Sequence, residues 1–155
     1  MHRWNDMRRG LDYIGVGVGA IILDTEGRVF LARRGSLAQN ERNRWEFPGG
    51  SVEFGETLEH ALAREIAEEY GCEIEVQELL DVVDHIIPDE GQHWVSPTFI
   101  CRVKGGTPHI REPHKCEEIG WFSIDEISEA KLTGASRKSL ESLRKKKVAR
   151  RNAKL

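Results

Sequence analysis

Between Gly50 and Cys72 the chain runs a polar, glycine-bounded loop straight into a segment with helical periodicity. Thr57 stands where an N-cap would, and Leu58, Ala61, Leu62, Ile66 and Ala67 recur near a 3.6-residue period. Gly71 follows as a C′ glycine, so the spacing predicts a helix over Leu58–Tyr70. Glu65, Glu68 and Glu69 stand at i, i+3 and i+4 on it, one turn apart on one side. Like charges that close repel one another unless a cation neutralises them. Hard carboxylate oxygens suit Mg²⁺ or Mn²⁺. Taken alone, the triplet reads more often as a solvated acidic face, so its flanks have to decide.

The rest of the chain supplies strands around this element. Gly15–Leu23 and Arg28–Arg33 flank the turn Asp24-Thr25-Glu26-Gly27 and read as a hairpin. Trp45–Phe47 is a short strand candidate, stopped by Pro48-Gly49-Gly50. Ile74–Ile87 is apolar enough for one long or two short strands, and His93–Val103 follows the turn Pro88–Gly91. Glu118–Phe122 is a shorter strand, and Ser123 is placed to cap a helix over Ile124–Ala130. Ser136–Ala149 carries Leu140, Leu143 and Val148 among basic residues and reads as a terminal helix. This order points to an α/β fold, a mixed sheet sandwiched between helices.

At 155 residues, with no repeat or linker, the chain is expected to form one domain. Its core would span about 14–130, with the basic helix at about 136–150. The longest apolar run, Val18–Leu23, is too short to cross a bilayer, and Met1–Tyr13 lacks a signal-peptide core. Cys72, Cys101 and Cys116 fall in no metal spacing, which fits reduced thiols in a cytoplasmic protein. Residues 137–155 carry nine Lys/Arg against one acid, leaving the remainder at −11. An acidic body binds a phosphate substrate best when metal ions screen it. The basic tail lacks interleaved aromatics, which favours a docked, solvated helix over a nucleic-acid surface.

The flanks turn the acidic triplet into something specific. From Gly50 the chain reads G-SVEFG-E-TLEHALA-R-E-I-A-E-E-Y-G-C. This resembles the Nudix box, with its fixed positions filled by Gly50, Glu56, Arg64, Glu65, Glu68, Glu69 and Gly71. Ile66 fills one aliphatic position, and Cys72 stands at the other as a mild departure. Seven identities at set spacing arise by chance at roughly one in 10⁸ per start point, so coincidence is a poor explanation. More loosely, the resemblance extends from about Ile14 to Ile127 through WEFPGG and the Glu112–Phe122 stretch.

The resemblance implies an α/β/α sandwich and Mg²⁺-dependent hydrolysis of a phosphoanhydride in a nucleotide substrate, with Mn²⁺ as an alternative ion. It implies that Glu65, Glu68, Glu69 and the Gly49 carbonyl hold metal, that Gly50 gives close approach to phosphate, and that Glu56 pairs with Arg64 to orient the cluster. The proton acceptor is a helix glutamate (Glu68 or Glu69) or a loop acid among Glu112, Glu117 and Glu118, with Glu117 first among the three. Arg33, ahead of Arg34, is the candidate phosphate contact. Phe99, Trp121 and Trp94 are candidates to stack on a base, and His85 and His93 are weaker contacts. The leading activity is cleavage of a nucleoside triphosphate to monophosphate and pyrophosphate, of MutT-like housecleaning type. ADP-ribose or nucleotide-sugar pyrophosphatase is the alternative, and a non-catalytic nucleotide- or RNA-binding module comes third, because such modules lose box acids that are all present here. Base identity, metal count, and monomer against homodimer stay open.

Overall fold

A computed structural model of the chain describes residues 6–154. Its centre is a seven-stranded mixed sheet in the order β3-β2-β1-β6-β5, with β4 on β1 and β7 on β2. The strands are β1 Gly15–Leu23, β2 Val29–Arg34, β3 Trp45–Glu46, β4 Gly49–Ser51, β5 Glu73–Ile87, β6 Gln92–Gly105 and β7 Cys116–Phe122. β1 and β6 run parallel, while β5 and β6 form a long antiparallel hairpin. β1 and β2 pair only at Leu23↔Val29. Beyond that point β4 takes the free edge of β1 and β3 the free edge of β2. The sheet therefore divides there, and the division opens the space that becomes the site.

Helix α1, Leu58–Tyr70, forms where its spacing places it. The Thr57 side chain accepts from His60 N at 3.2 Å, a cap that contributes about 1 kcal/mol. Gly71 ends the helix at φ 64°, the left-handed region, and a Cβ there would also lie 2.3 Å from His109 Cε1. Ala61, Leu62, Ile66 and Tyr70 pack against Val18, Ala20, Ile22 and Phe30 on one face of the sheet. Each fully buried leucine or isoleucine contributes roughly 1.5–3 kcal/mol.

The opposite face is covered by α2, Gly134–Asn152, whose Leu140 and Leu143 join Ile21, Val29, Leu31 and Ile100. The sheet thus lies between helices, as expected. The basic residues of α2 serve its docking. Lys146 and Arg150 each reach Glu78 of β5 at 2.8 Å, and Arg144 donates to the carbonyls of Ile124 and Ile127. Among the described residues no helix is long and apolar enough to cross a membrane. The three cysteines are free and buried.

Two expectations are corrected, and one left open is decided. No α-helix covers Ile124–Ala130; two single-turn 3₁₀ segments, Ile124–Glu126 and Glu129–Lys131, lie there instead. Gly49 and Gly50 do not merely stop a strand but form β4, in register with Gly19 and Val18. Ile74–Ile87 belongs to one continuous strand with two-residue alternation interrupted by register shifts.

Candidate active site

α1 presents its charged side to the divided edge of the sheet, and Arg64 organises it. Its Nε and Nη2 donate to Glu56 at 2.6 and 2.9 Å, and Nη2 also donates to the Ser51 carbonyl at 3.1 Å. Its Nη1 reaches Glu65 at 3.0 Å and Glu68 at 3.3 Å. The Arg64 fork depresses Glu56 to about 2, with help from the Glu53 backbone N–H. Its partners in turn push the Arg64 guanidinium above its ordinary value. Glu56 and Arg64 thus form a two-point ion pair.

Glu65 and Glu69 turn inward. A Cβ on Gly50 would lie 2.2 Å from Glu65 Cδ, so only glycine lets this carboxylate rest against β4. Burial raises Glu65, against the pull of Arg64. Glu69 is raised further, to about 8, first by burial and then by the charges of Glu65 and Glu46. Glu68 stays largely in solvent. Among the described residues no three His, Cys, Asp or Glu side chains converge closely enough to form a ready-made metal cluster. The donor chemistry nevertheless suits a hard cation. Several carboxylates crowd one place, and Glu69 has no strong positive partner there.

Glu69 lines one end of a cavity of about 630 Å³. Gly49, Gly50, Glu46, Glu112 and Lys115 border that end. Glu112 keeps its Oε2 out of water, 3.3 Å from Lys115 Nζ. The other end is bordered by Asn40, His85, Gln92, Trp94 and Ser139. His85 Nε2 lies 3.3 Å from Glu41, whose Oε1 accepts the Gly134 N–H at the start of α2. Glu41 is held below its ordinary value by His85 and Gly134, which together outweigh its burial.

Several sequence candidates land elsewhere. Glu117 does not border the cavity; it accepts from Ser36 N at 2.9 Å and pairs with Arg33 at 3.2 Å. Glu118 likewise pairs with Arg33, at 3.1 Å. Arg33 borders the cavity but is engaged by these two acids. Glu112 is the one loop acid of the three that reaches the space beside Glu69. Phe99 and Trp121 cannot stack on a ligand there. Phe99 is 8% exposed in the α1-side core, and Trp121 packs edge-on against Phe30 with ring centroids 5.4 Å apart. Trp94 is the tryptophan at the cavity, and His93 is not among its lining residues. Glu46, Asn40, Gln92 and Lys115 went unnoticed in the sequence. The nearest signals were WEFPGG for Glu46, the polar 35–44 loop for Asn40, the Pro88–Gly91 turn for Gln92 and the Glu112–Phe122 stretch for Lys115.

A family model described as "NUDIX domain" matches residues 14–143. A "MutT-like protein" from Streptomyces ambofaciens is 32% identical over 114 residues, covering 74% of this chain and 67% of its own length. An "8-oxo-dGTP diphosphatase" from Proteus vulgaris is 45% identical over 69 residues, 44% of this chain and 61% of its own. A crystal structure of a MutT NUDIX hydrolase from Burkholderia pseudomallei superposes with a TM-score of 0.75 at 39% identity. That match covers 84% of this chain and 98% of the other.

Proposed function

The chain belongs to the NUDIX family, and from that premise we propose that it is a divalent-metal-dependent hydrolase of nucleoside triphosphates, releasing nucleoside monophosphate and pyrophosphate. The observation that carries this reading is the single cavity of about 630 Å³ joining the Glu69–Glu112 end to the Asn40–Gln92 end. Its volume lies in the range of small-ligand sites. One end suits phosphate with its counter-ions, and the other suits a polar ring.

Glu65, Glu68 and Glu69, with the Gly49 carbonyl, would hold Mg²⁺ or Mn²⁺. Such an ion, when bound, neutralises phosphate charge and lowers the pKa of an attacking water. Glu56 and Arg64 act as positioning residues, fixing the start of the acidic array through two parallel hydrogen bonds. Lys115, beside Glu112 and bordering the cavity, offers a positive charge to phosphate oxygens. Gly50 leaves room for the chain to approach a phosphate closely. Glu112, within the cavity on a loop, accepts the proton of the water as its oxygen attacks phosphorus in line. The phosphoanhydride bond breaks, and pyrophosphate and the monophosphate part. In this reading Glu112, rather than Glu117, comes first among the loop acids.

The test is a chromatographic panel of nucleoside triphosphates, ADP-ribose and nucleotide sugars, each with Mg²⁺ and with EDTA. The triphosphates are expected to yield monophosphates only with Mg²⁺. Consumption of ADP-ribose or nucleotide sugars alone would replace this substrate class.

A further inference from the structure

The nucleoside end of the cavity is built around one amide whose orientation is forced from two sides. Gln92 opens β6, is 9% exposed, and borders the cavity. Trp94 Nε1 donates to its Oε1 at 3.1 Å, and Asn40 Nδ2 donates to the same oxygen at 3.0 Å. An indole nitrogen can only donate, so the Gln92 atom facing it is the carbonyl oxygen.

The Asn40 amide is fixed in turn. Arg34 Nη2 donates to Asn40 Oδ1 at 2.9 Å, and Arg34 Nε donates to the Asn40 carbonyl at 3.1 Å. A guanidinium can only donate as well, so Asn40 must turn its NH₂ toward Gln92. Arg34 is itself anchored by two bonds to Glu46, at 3.0 and 3.2 Å. The two ends of the chain of bonds demand the same assignment, and neither amide can flip without setting donors face to face.

Trp94 is rigidly placed. A Cβ on Gly10 would lie 2.3 Å from Trp94 Nε1, and one on Gly15 would lie 2.4 Å from Cε3. The backbone therefore presses directly on the indole, in contacts that larger residues would block.

With its oxygen filled by two donors, Gln92 has only N–H groups left to offer. Among the described residues the partner of Nε2 is Glu90, at a long 3.5 Å. The NH₂ carries two hydrogens, so beyond this single long bond one N–H has no protein acceptor among the described residues and is a donor in wait for one. Building on the nucleotide reading above, we infer that Gln92 is a specificity-determining residue, presenting a fixed donor that selects bases with a ring carbonyl over bases with an exocyclic amine at the same position. Guanine and uracil offer that carbonyl; adenine and cytosine put an N–H₂ there, donor against donor. Trp94 and Asn40 are positioning residues for this donor.

The experiment compares kcat/KM for GTP against ATP and UTP against CTP in the full chain, its Gln92→Glu and Gln92→Met variants, and Trp94→Phe. The wild type is expected to favour the carbonyl member of each pair by about tenfold or more. Gln92→Met, which keeps the volume and loses the donor, should bring both ratios close to one. Gln92→Glu, which turns an acceptor toward the ligand, should reverse them. Trp94→Phe, by releasing the amide to rotate, should weaken the ratios. Circular dichroism reports folding of each variant, and Gln92→Met serves if Gln92→Glu does not fold. Ratios unchanged in Gln92→Met overturn the inference. Equilibrium dialysis with GMP against AMP, and UMP against CMP, separates this result from the reaction. A carbonyl preference in binding without hydrolysis upholds the subsite and removes the proposed function. An absence of preference in both binding and hydrolysis overturns the subsite.

Discussion

Arg64 grips Glu56 at two points, Nε on Oε1 at 2.6 Å and Nη2 on Oε2 at 2.9 Å, and this fork orders the start of the acidic array. A lysine keeps the charge but cannot form the fork. Arg64→Lys is expected to lower kcat roughly 10–100-fold, the usual effect of disturbing groups that orient metal ligands. Steady-state kinetics with circular dichroism checks it; wild-type turnover would remove the positioning role.

The same pair sets a pH dependence. Glu56 is depressed to about 2 in the folded chain from an ordinary 4.5. Its contribution to stability is therefore present above about 4.5 and is lost as pH falls from there toward 2. Because Glu56 is only partly buried and water still reaches the pair, the effect should be modest and should shrink in salt. Urea unfolding across this window should show a steeper acid loss for the wild type than for Glu56→Gln. Parallel curves would contradict the linkage.

Glu69 sits where function and stability pull apart. Burial and the charges of Glu65 and Glu46 oppose its ionised form. Glu69→Gln should lower kcat about 100-fold or more while leaving Tm in EDTA at or above the wild-type value. Glu68→Gln, on the more exposed side of the helix, should also cost orders of magnitude in turnover with the fold intact. Near-normal turnover in both variants would dismiss the metal-site assignment.

The loop acids divide by location. Glu112 borders the cavity, whereas Glu117 is spent on Arg33 and the Ser36 N–H. Glu112→Gln should lower kcat by about 100-fold or more, and Glu117→Gln by less than about tenfold. Equal losses, or the reverse order, would return the role to the outer acid.

Helix α2 is expected to be structural. It buries Leu140 and Leu143, and Ser136 Oγ accepts the Phe47 N–H at 2.9 Å. Truncation after Ala135 should give insoluble protein, whereas Lys146→Ala should change stability by less than about 1 kcal/mol. A soluble, active truncation that has lost RNA affinity would instead assign the helix to nucleic acid.

How far the sequence reaches depends on where each decision is made. α1 was legible to its caps, because Thr57, the apolar period and Gly71 act within one turn of what they control. β4 was not, since Gly49–Ser51 becomes a strand only by pairing with β1, thirty residues earlier in the chain. The expected helix after Ser123 gave way because Arg144 of α2 takes the carbonyls of Ile124 and Ile127. Phe99 was misplaced by one position of strand parity: Thr98 lines the cavity while Phe99 faces the core. Box spacing marked the acids of α1, while the amide end of the cavity is assembled from the 35–41 loop and β6, which no local pattern joins.

The central claim is that one cavity holds both the cleaved anhydride and the base. The most direct measurement is phosphorus NMR of GTP incubated with the full chain and Mg²⁺. We predict that the three GTP resonances give way to those of GMP and pyrophosphate in equal amounts, and that EDTA halts the change. Formation of GDP and inorganic phosphate, or GTP left intact while ADP-ribose is consumed, would contradict it.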